Sequence, residues 1–355
     1  MTGRSDQPRV VAVIGSTGVA GAAICRELLA TESIRQVVAL GTVRPPVPGV
    51  TLRRVDVTDA SLAAALRGVH ALVYAPNEVD DAADRAARRK ANELGVSVAL
   101  MAAAAAGVRQ VVLISSARVY GAAPDNPVPL PEDAPLQATA EGDVADLLAL
   151  ERIARSLDHA YPQTEVCVLR PAWLLAPGLP NPAGGLLDGP RLLVVRGTKP
   201  HWQFCHVDDL AAAVCTAVTT RMVGAATVAS EGWIEQADVQ KVLKRRPLEL
   251  PATIAFETAA RLHAIGVTSS PSELAYLVYP WVVGSERLRE AGWKPAYSNL
   301  EALTDYADGR PARAYRLPVD PKGAATATAA AGATVALIGT AALVRRARKR
   351  RASGK

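Results

Sequence analysis

Aromatic side chains are scarce in this sequence: two Phe, eight Tyr and five Trp in 355 residues, or 4%. A chain that is nonetheless 50% apolar must build its core from Ala, Val and Leu. Cysteine is equally sparse. Cys25, Cys167, Cys205 and Cys215 stand far apart and form no Cys-x-x-Cys pair, so they read as free thiols of a reducing compartment. A disulfide scaffold is excluded, and no His/Cys/Asp/Glu cluster has metal-ligand spacing, so no metal is expected. The body of the chain also lacks net basic charge. The formal charge is +6, yet the closing "RRARKRRASGK" alone holds seven basic residues and no acid. What precedes it is close to neutral, so no nucleic-acid surface is expected. The opening "MTGRSDQPRVVAVIGSTG" has no apolar core of signal-peptide type before its first strand.

What is present is a regular alternation of short β-branched runs with Ala/Leu-rich stretches of helical length, the pattern of βαβ units around a parallel sheet. The predicted strands are "RVVAVIG", "QVVAL", "TLRRVDV", "HALVYAP", "QVVLISS" and "EVCVLRP". They are apolar without alternation, as strands covered on both faces should be. After Pro171, "AWLLAPGLPNPAGGLLDGP" reads as a Gly/Pro-rich loop over a site. "HWQFCHVDDLAAAVCTAV" reads as a short strand entering a helix capped by Asp208 or Asp209. Residues 233–307 read as a small mixed lobe.

"VVAVIGSTGVAGAAICRELL" sets Gly15, Gly18 and Gly21 between a strand and a helix. Glycines there let the backbone approach a pyrophosphate at a helix N-terminus, so a dinucleotide is the expected ligand. The fold class follows: α/β, a Rossmann-type doubly wound parallel sheet with a small C-terminal substrate lobe and a C-terminal Ala-rich apolar segment. The nucleotide-binding domain is expected over 8–172 and 201–232, and the substrate lobe over 173–200 and 233–307. A linker spans 308–322, an apolar segment 323–344 and a basic tail 345–355.

The GxxGxxG spacing resembles that of the extended short-chain dehydrogenase/reductases, the NAD-dependent epimerase/dehydratase family. Further motifs match in family order: "DVTD" at Asp56, "ANELGVSVALMAAAAAGVRQVVLISSARVYG", "VLRPAWLLAPG", "FCHVDDLAAAV" and "LREAGWKPAYSNLEAL". The resemblance spans about residues 8–307. It implies cofactor contacts from Gly15, Thr17, Gly18, Val19, Gly21, Arg44, Asp56, Val57, Ala75, Pro76, Asn92, Ser115 and Pro171. NAD enzymes usually carry an acid at the end of the second strand. Here Gly41 stands in that place with Arg44 nearby, which tilts the expectation to NADP over NAD. Ser116, four residues before Tyr120, matches the serine that holds the reacting oxygen.

The family's acid/base pair, Tyr-x-x-x-Lys with a glutamate four residues after the lysine, is missing. Glu151 in "DVADLLALE" matches that glutamate, which leaves Leu147 for the lysine and Asp143 for the tyrosine. An ordinary Asp, with pKa about 3.9, is ionised at neutral pH and a poor acid, so Asp143 replaces the tyrosine only if its surroundings change that. Two functions stay open. One is an oxidoreductase or epimerase acting on a nucleotide-sugar or sterol-like hydroxyl with non-standard acid/base residues. The other is a catalytically inactive NAD(P)-sensing regulator or scaffold at the membrane.

Residues 323–344 carry no charge, a length suited to a membrane span, but Ala, Thr and Gly dominate them. They either span the bilayer or lie on it, with the basic tail on anionic headgroups. The expected location is the cytoplasmic side of the cell membrane. Expected partners are a small-molecule substrate, membrane lipid and a second copy of the chain.

Overall fold

The computed structural model describes residues 9–76, 85–179, 187, 191–264 and 270–309. Its first half runs β1 (Arg9–Ile14), α1 (Val19–Ala30), β2 (Ile34–Gly41), β3 (Thr51–Arg54), α2 (Leu62–Ala65), β4 (Ala71–Tyr74), α3 (Arg85–Ala105), β5 (Gln110–Ile114), α4 (Gly142–Ala160) and β6 (Glu165–Pro171). Then come β7 (Trp173–Leu175), β8 (Arg191–Val195), β9 (Phe204–His206), α5 (Val207–Thr220) and β10 (Gly224–Val228). The chain continues through α6 (Gln236–Leu243), β11 (Arg246–Leu250), α7 (Ala252–Ala264), α8 (Glu286–Glu290) and α9 (Asn299–Asp308).

Seven strands form one parallel sheet in the order β10-β6-β5-β4-β1-β2-β3. Because side chains alternate across a strand, β1 feeds two cores at once. Val11 and Val13 pack with α1 and α5 on one face, while Val10, Ala12 and Ile14 pack with α2, α3 and α4 on the other. Both faces are apolar, which is why the strand sequences show no alternation. All four cysteines are buried and free. The order of connection reverses between β1 and β4, and the crevice outside their carboxyl ends is where such sheets bind ligands.

Two expectations need correction. The stretch after Pro171 is not all loop: Trp173–Leu175 forms β7, paired in parallel with β9. Trp173 drives this by packing against Trp202, Phe204 and Trp281, with ring centroids 4.9, 6.3 and 5.0 Å away. Neither Asp208 nor Asp209 caps α5. His206 does, its Nδ1 accepting from the Asp208 amide at 3.2 Å while Nε2 lies 3.1 Å from Asp305. Asp209 is turned inward instead, accepting from the amides of Ala296 (2.6 Å) and Tyr297 (3.2 Å). Burial outweighs those bonds and raises its pKa.

No described helix is long and apolar enough to cross a membrane. The segment 323–344, the tail 345–355 and the linker from residue 310 lie outside the described residues.

Candidate functional site

The glycine loop connects β1 to α1 at the reversal point. Gly15 adopts φ +81°, and any Cβ there would overlap the Ala75 carbonyl at the end of β4. A Cβ on Gly21 would overlap the Gly15 carbonyl. These two glycines hold the loop tight against its neighbours. Gly18 differs: the nearest atom to its would-be Cβ is the Gly15 carbonyl oxygen at 3.6 Å. It is the N-cap of the twelve-residue α1, with no side-chain cap and no acid in the first turn. First-turn amides without a capping side chain beside an open glycine suit a pyrophosphate. Thr17 is exposed beside them, and Val19 is half-buried.

The other expected cofactor contacts fall around this crevice. Ala75 and Pro76 follow β4, Ser115 follows β5, and Pro171 ends β6. Asn92 is half-buried on α3, where Gly95 leaves room for the Tyr74 hydroxyl 3.2 Å from its would-be Cβ. Burial lifts that Tyr74 phenol to about 12. Asp56 is exposed and accepts from the Thr58 amide and hydroxyl at 2.9 and 2.7 Å, which lowers its pKa. Val57 beside it is half-buried. At the end of β2, Gly41 pairs in register with Arg54, whose Nη1 donates to the Thr42 carbonyl at 3.2 Å. Arg44 is exposed in the same loop. Arg54, a second cation at that strand end, is visible only once β3 is paired.

Ser115 and Glu151 settle the register of α4. Glu151, 3% exposed, forms a two-pronged pair with Arg170, Nε at 2.9 Å and Nη2 at 2.6 Å. The Ser115 hydroxyl donates to the same carboxylate at 2.7 Å. The face of α4 bearing Glu151 is therefore turned to the ends of β5 and β6. Positions 147 and 143 lie one and two turns earlier on that face. Leu147 is half-buried there, and Asp143 is exposed in the first turn, where its charge suits the helix N-terminus. The helix that carries Tyr-x-x-x-Lys in the resemblance carries Asp and Leu here, in an experimentally addressable register.

Tyr120, the nearest phenol to Ser116 in sequence, is engaged elsewhere. Its hydroxyl donates to the Glu132 carbonyl at 2.7 Å and accepts from Arg170 Nη1 at 2.8 Å. Burial outweighs the Arg170 charge and raises its pKa, so it is no base at neutral pH. Ser116 stands half-buried at the mouth of the crevice, with Oγ 3.4 Å from the Pro171 carbonyl and accepting from the Arg118 amide at 3.3 Å. The C-terminal lobe closes on the start of α4, where Ser270 hydrogen-bonds Glu141 and the Glu273 carboxylate sits 3.1 Å from the would-be Cβ of Gly142. Arg118 and Trp173 went unnoticed in the sequence. The one signal was a charged residue inside the otherwise uncharged strand-end run "SSARVYG".

Among known proteins, uncharacterized proteins of Mycobacterium tuberculosis and Mycobacterium bovis are each 27% identical over 322 residues, covering 85% of this chain and 84% of the relative. In fold, the chain is similar to a dTDP-glucose 4,6-dehydratase from Streptomyces venezuelae solved with NAD and TYD bound, with TM-score 0.62, 20% identity, and 84% and 96% of the two chains covered. It is also similar to a Thermus thermophilus UDP-glucose 4-epimerase solved with NAD, with TM-score 0.63, 20% identity, and 84% and 98% covered. The model of the NAD dependent epimerase/dehydratase family matches residues 11–227, and with this glycine loop and sheet order the chain belongs to that family.

Proposed function

We propose that the protein binds NAD(P) across the ends of β1, β2 and β4 and acts as an oxidoreductase or epimerase on a nucleotide-sugar hydroxyl. The observation that carries this reading is the cradle: Gly15 and Gly21 close the loop while Gly18 leaves it open beside the α1 amides. NAD(P), when bound, supplies the hydride acceptor or donor. Ser116 holds the substrate oxygen, and the proton leaves by a group other than a tyrosine–lysine pair. Arg44 and Arg54 at the end of β2, with no acid at Gly41, favour NADP.

The vacated positions Asp143 and Leu147 favour a second reading, an NAD(P)-sensing regulator without turnover. In both readings a cytoplasmic location, pairing with a second copy and lipid contact through 323–344 belong to the proposal. A sterol-like hydroxyl is the alternative substrate that lipid contact would favour. The test uses the full chain. Calorimetry with NAD(H) and NADP(H) comes first, then hydride exchange with a panel of nucleotide sugars and sterols. Cofactor binding with transfer to one substrate class supports the enzyme, and binding without any transfer supports the sensor. Failure to bind either cofactor sinks both.

A further inference from the structure

β10 is an edge of the sheet: β6 pairs with it on one side, and no described strand lies on the other. An open edge offers main-chain groups to any extended segment that meets it, and proteins blunt such edges with charge, proline or a very short strand. The opposite edge, β3, is four residues long and carries Arg53 and Arg54. β10 reads Gly-Ala-Ala-Thr-Val, with no charge and no proline of its own. Just before it, Val223 is 43% exposed.

The outward groups of β10 are nevertheless taken, and side chains take most of them. Alternate residues of a strand turn their main-chain groups to the same side. Val228 faces inward, its carbonyl accepting from the Ala172 amide at 2.9 Å, so Val223, Ala225, Thr227 and Ala229 face out. The Val223 carbonyl accepts from Arg287 Nη2 at 2.6 Å, and the Ala225 carbonyl accepts from Arg287 Nη1. The Thr227 amide donates to the Glu132 carboxylate at 2.7 Å, and the Thr227 hydroxyl reaches the Gly284 carbonyl. The Ala229 amide donates to Ser285 Oγ at 3.1 Å.

The local sequence is arranged around this contact. Ser285 is the N-cap of α8, yet its side chain caps no helix amide and serves Ala229 instead. Gly224 leaves room for the guanidinium, since a Cβ there would lie 3.3 Å from Arg287 Nη1. Glu132 also holds the covering segment in place, accepting from the Arg287 amide at 2.9 Å.

We infer that residues 284–287 and Glu132 stand in for an eighth strand and keep β10 from pairing with β10 of a second copy. A second copy is the partner such an edge fits. Two identical edges can meet antiparallel about a two-fold axis, each supplying the donors that the other's carbonyls need. The Arg287 guanidinium is the removable part, because Arg287 is exposed whereas Ser285 is buried.

The test is Arg287→Met in the full chain, which keeps an apolar stem beside Gly224 and removes the donors. In sedimentation velocity across a concentration series, the variant is expected to form a species of about twice the wild-type mass that grows with concentration. Hydrogen exchange at the Val223 and Ala225 amides is expected to slow in step, because pairing through this edge covers them. Arg287→Lys, with one ammonium for two carbonyls, is expected to behave likewise at higher concentration, and it decides the matter if the methionine variant does not fold. A folded variant that keeps the wild-type mass throughout, or a mass increase without new protection at Val223 and Ala225, would overturn the inference. So would rapid exchange of the Thr227 amide in the wild type, a measurement that needs no variant.

Discussion

Gly18 and Gly21 belong to one motif yet respond oppositely to a side chain. At Gly21 an added Cβ meets backbone, and backbone cannot step aside without opening the β1–α1 turn. At Gly18 the space is free and φ is −72°, so a side chain fits without strain. Serine is a favoured N-cap residue, and its hydroxyl would take the amide that a pyrophosphate needs. Gly18→Ser is therefore expected to leave folding stability unchanged or slightly raised while weakening NAD(P) binding at least tenfold. Thermal denaturation and calorimetry on the same sample check both halves. Unchanged cofactor affinity would place the dinucleotide elsewhere.

At the scale of an element, α4 decides how much dehydrogenase chemistry is available. Its register is pinned by the buried Glu151–Arg170 pair and the Ser115 hydroxyl, one turn and more beyond the two vacated positions. Refilling those positions should therefore not displace the helix. Asp143→Tyr with Leu147→Lys restores a phenol and an ammonium one turn apart on the face that carries Glu151, and an exposed and a half-buried position accommodate them. Positioned acid/base groups contribute roughly 10²–10⁴-fold. The double variant is expected to raise hydride exchange on the order of a hundredfold, read by cofactor absorbance with the best substrate of the panel. A rate that stays flat while cofactor and substrate still bind would show that this face of α4 does not reach the reacting atoms.

Across the whole molecule, Glu132 ties the sheet to the C-terminal lobe. Its carboxylate accepts from the Thr227 amide (2.7 Å) and hydroxyl (2.9 Å) on β10 and from the Arg287 amide (2.9 Å) on α8. Thr227 is fully buried, so removing the acceptor leaves its amide unsatisfied. Such a loss costs about 1–3 kcal/mol. Glu132→Ala is expected to unfold at lower urea with the same slope and in one transition, because the two parts share a core that runs from α1 through Trp173 to α9. A separate early transition in circular dichroism would instead show that the lobe melts independently.

Six of the seven strands of the sheet (all but β10), the glycine loop, the place of Ser116 after β5 and the absence of a Tyr-x-x-x-Lys pair were legible in the sequence. Each depends on local pattern: β-branched runs, glycines at a strand–helix junction, residues at fixed spacing. Local pattern also identified Glu151, and its partner Arg170 stood in a quoted motif, but their pairing needed the two elements side by side. Only the tertiary structure decided that β7 forms, that His206 rather than an aspartate caps α5, and that Arg54 reaches the end of β2. Arg118 shows why most clearly. In sequence it is one arginine among many. Its burial, and the bond its carbonyl accepts from the Tyr276 hydroxyl, come from the lobe that folds over it, some 150 positions away.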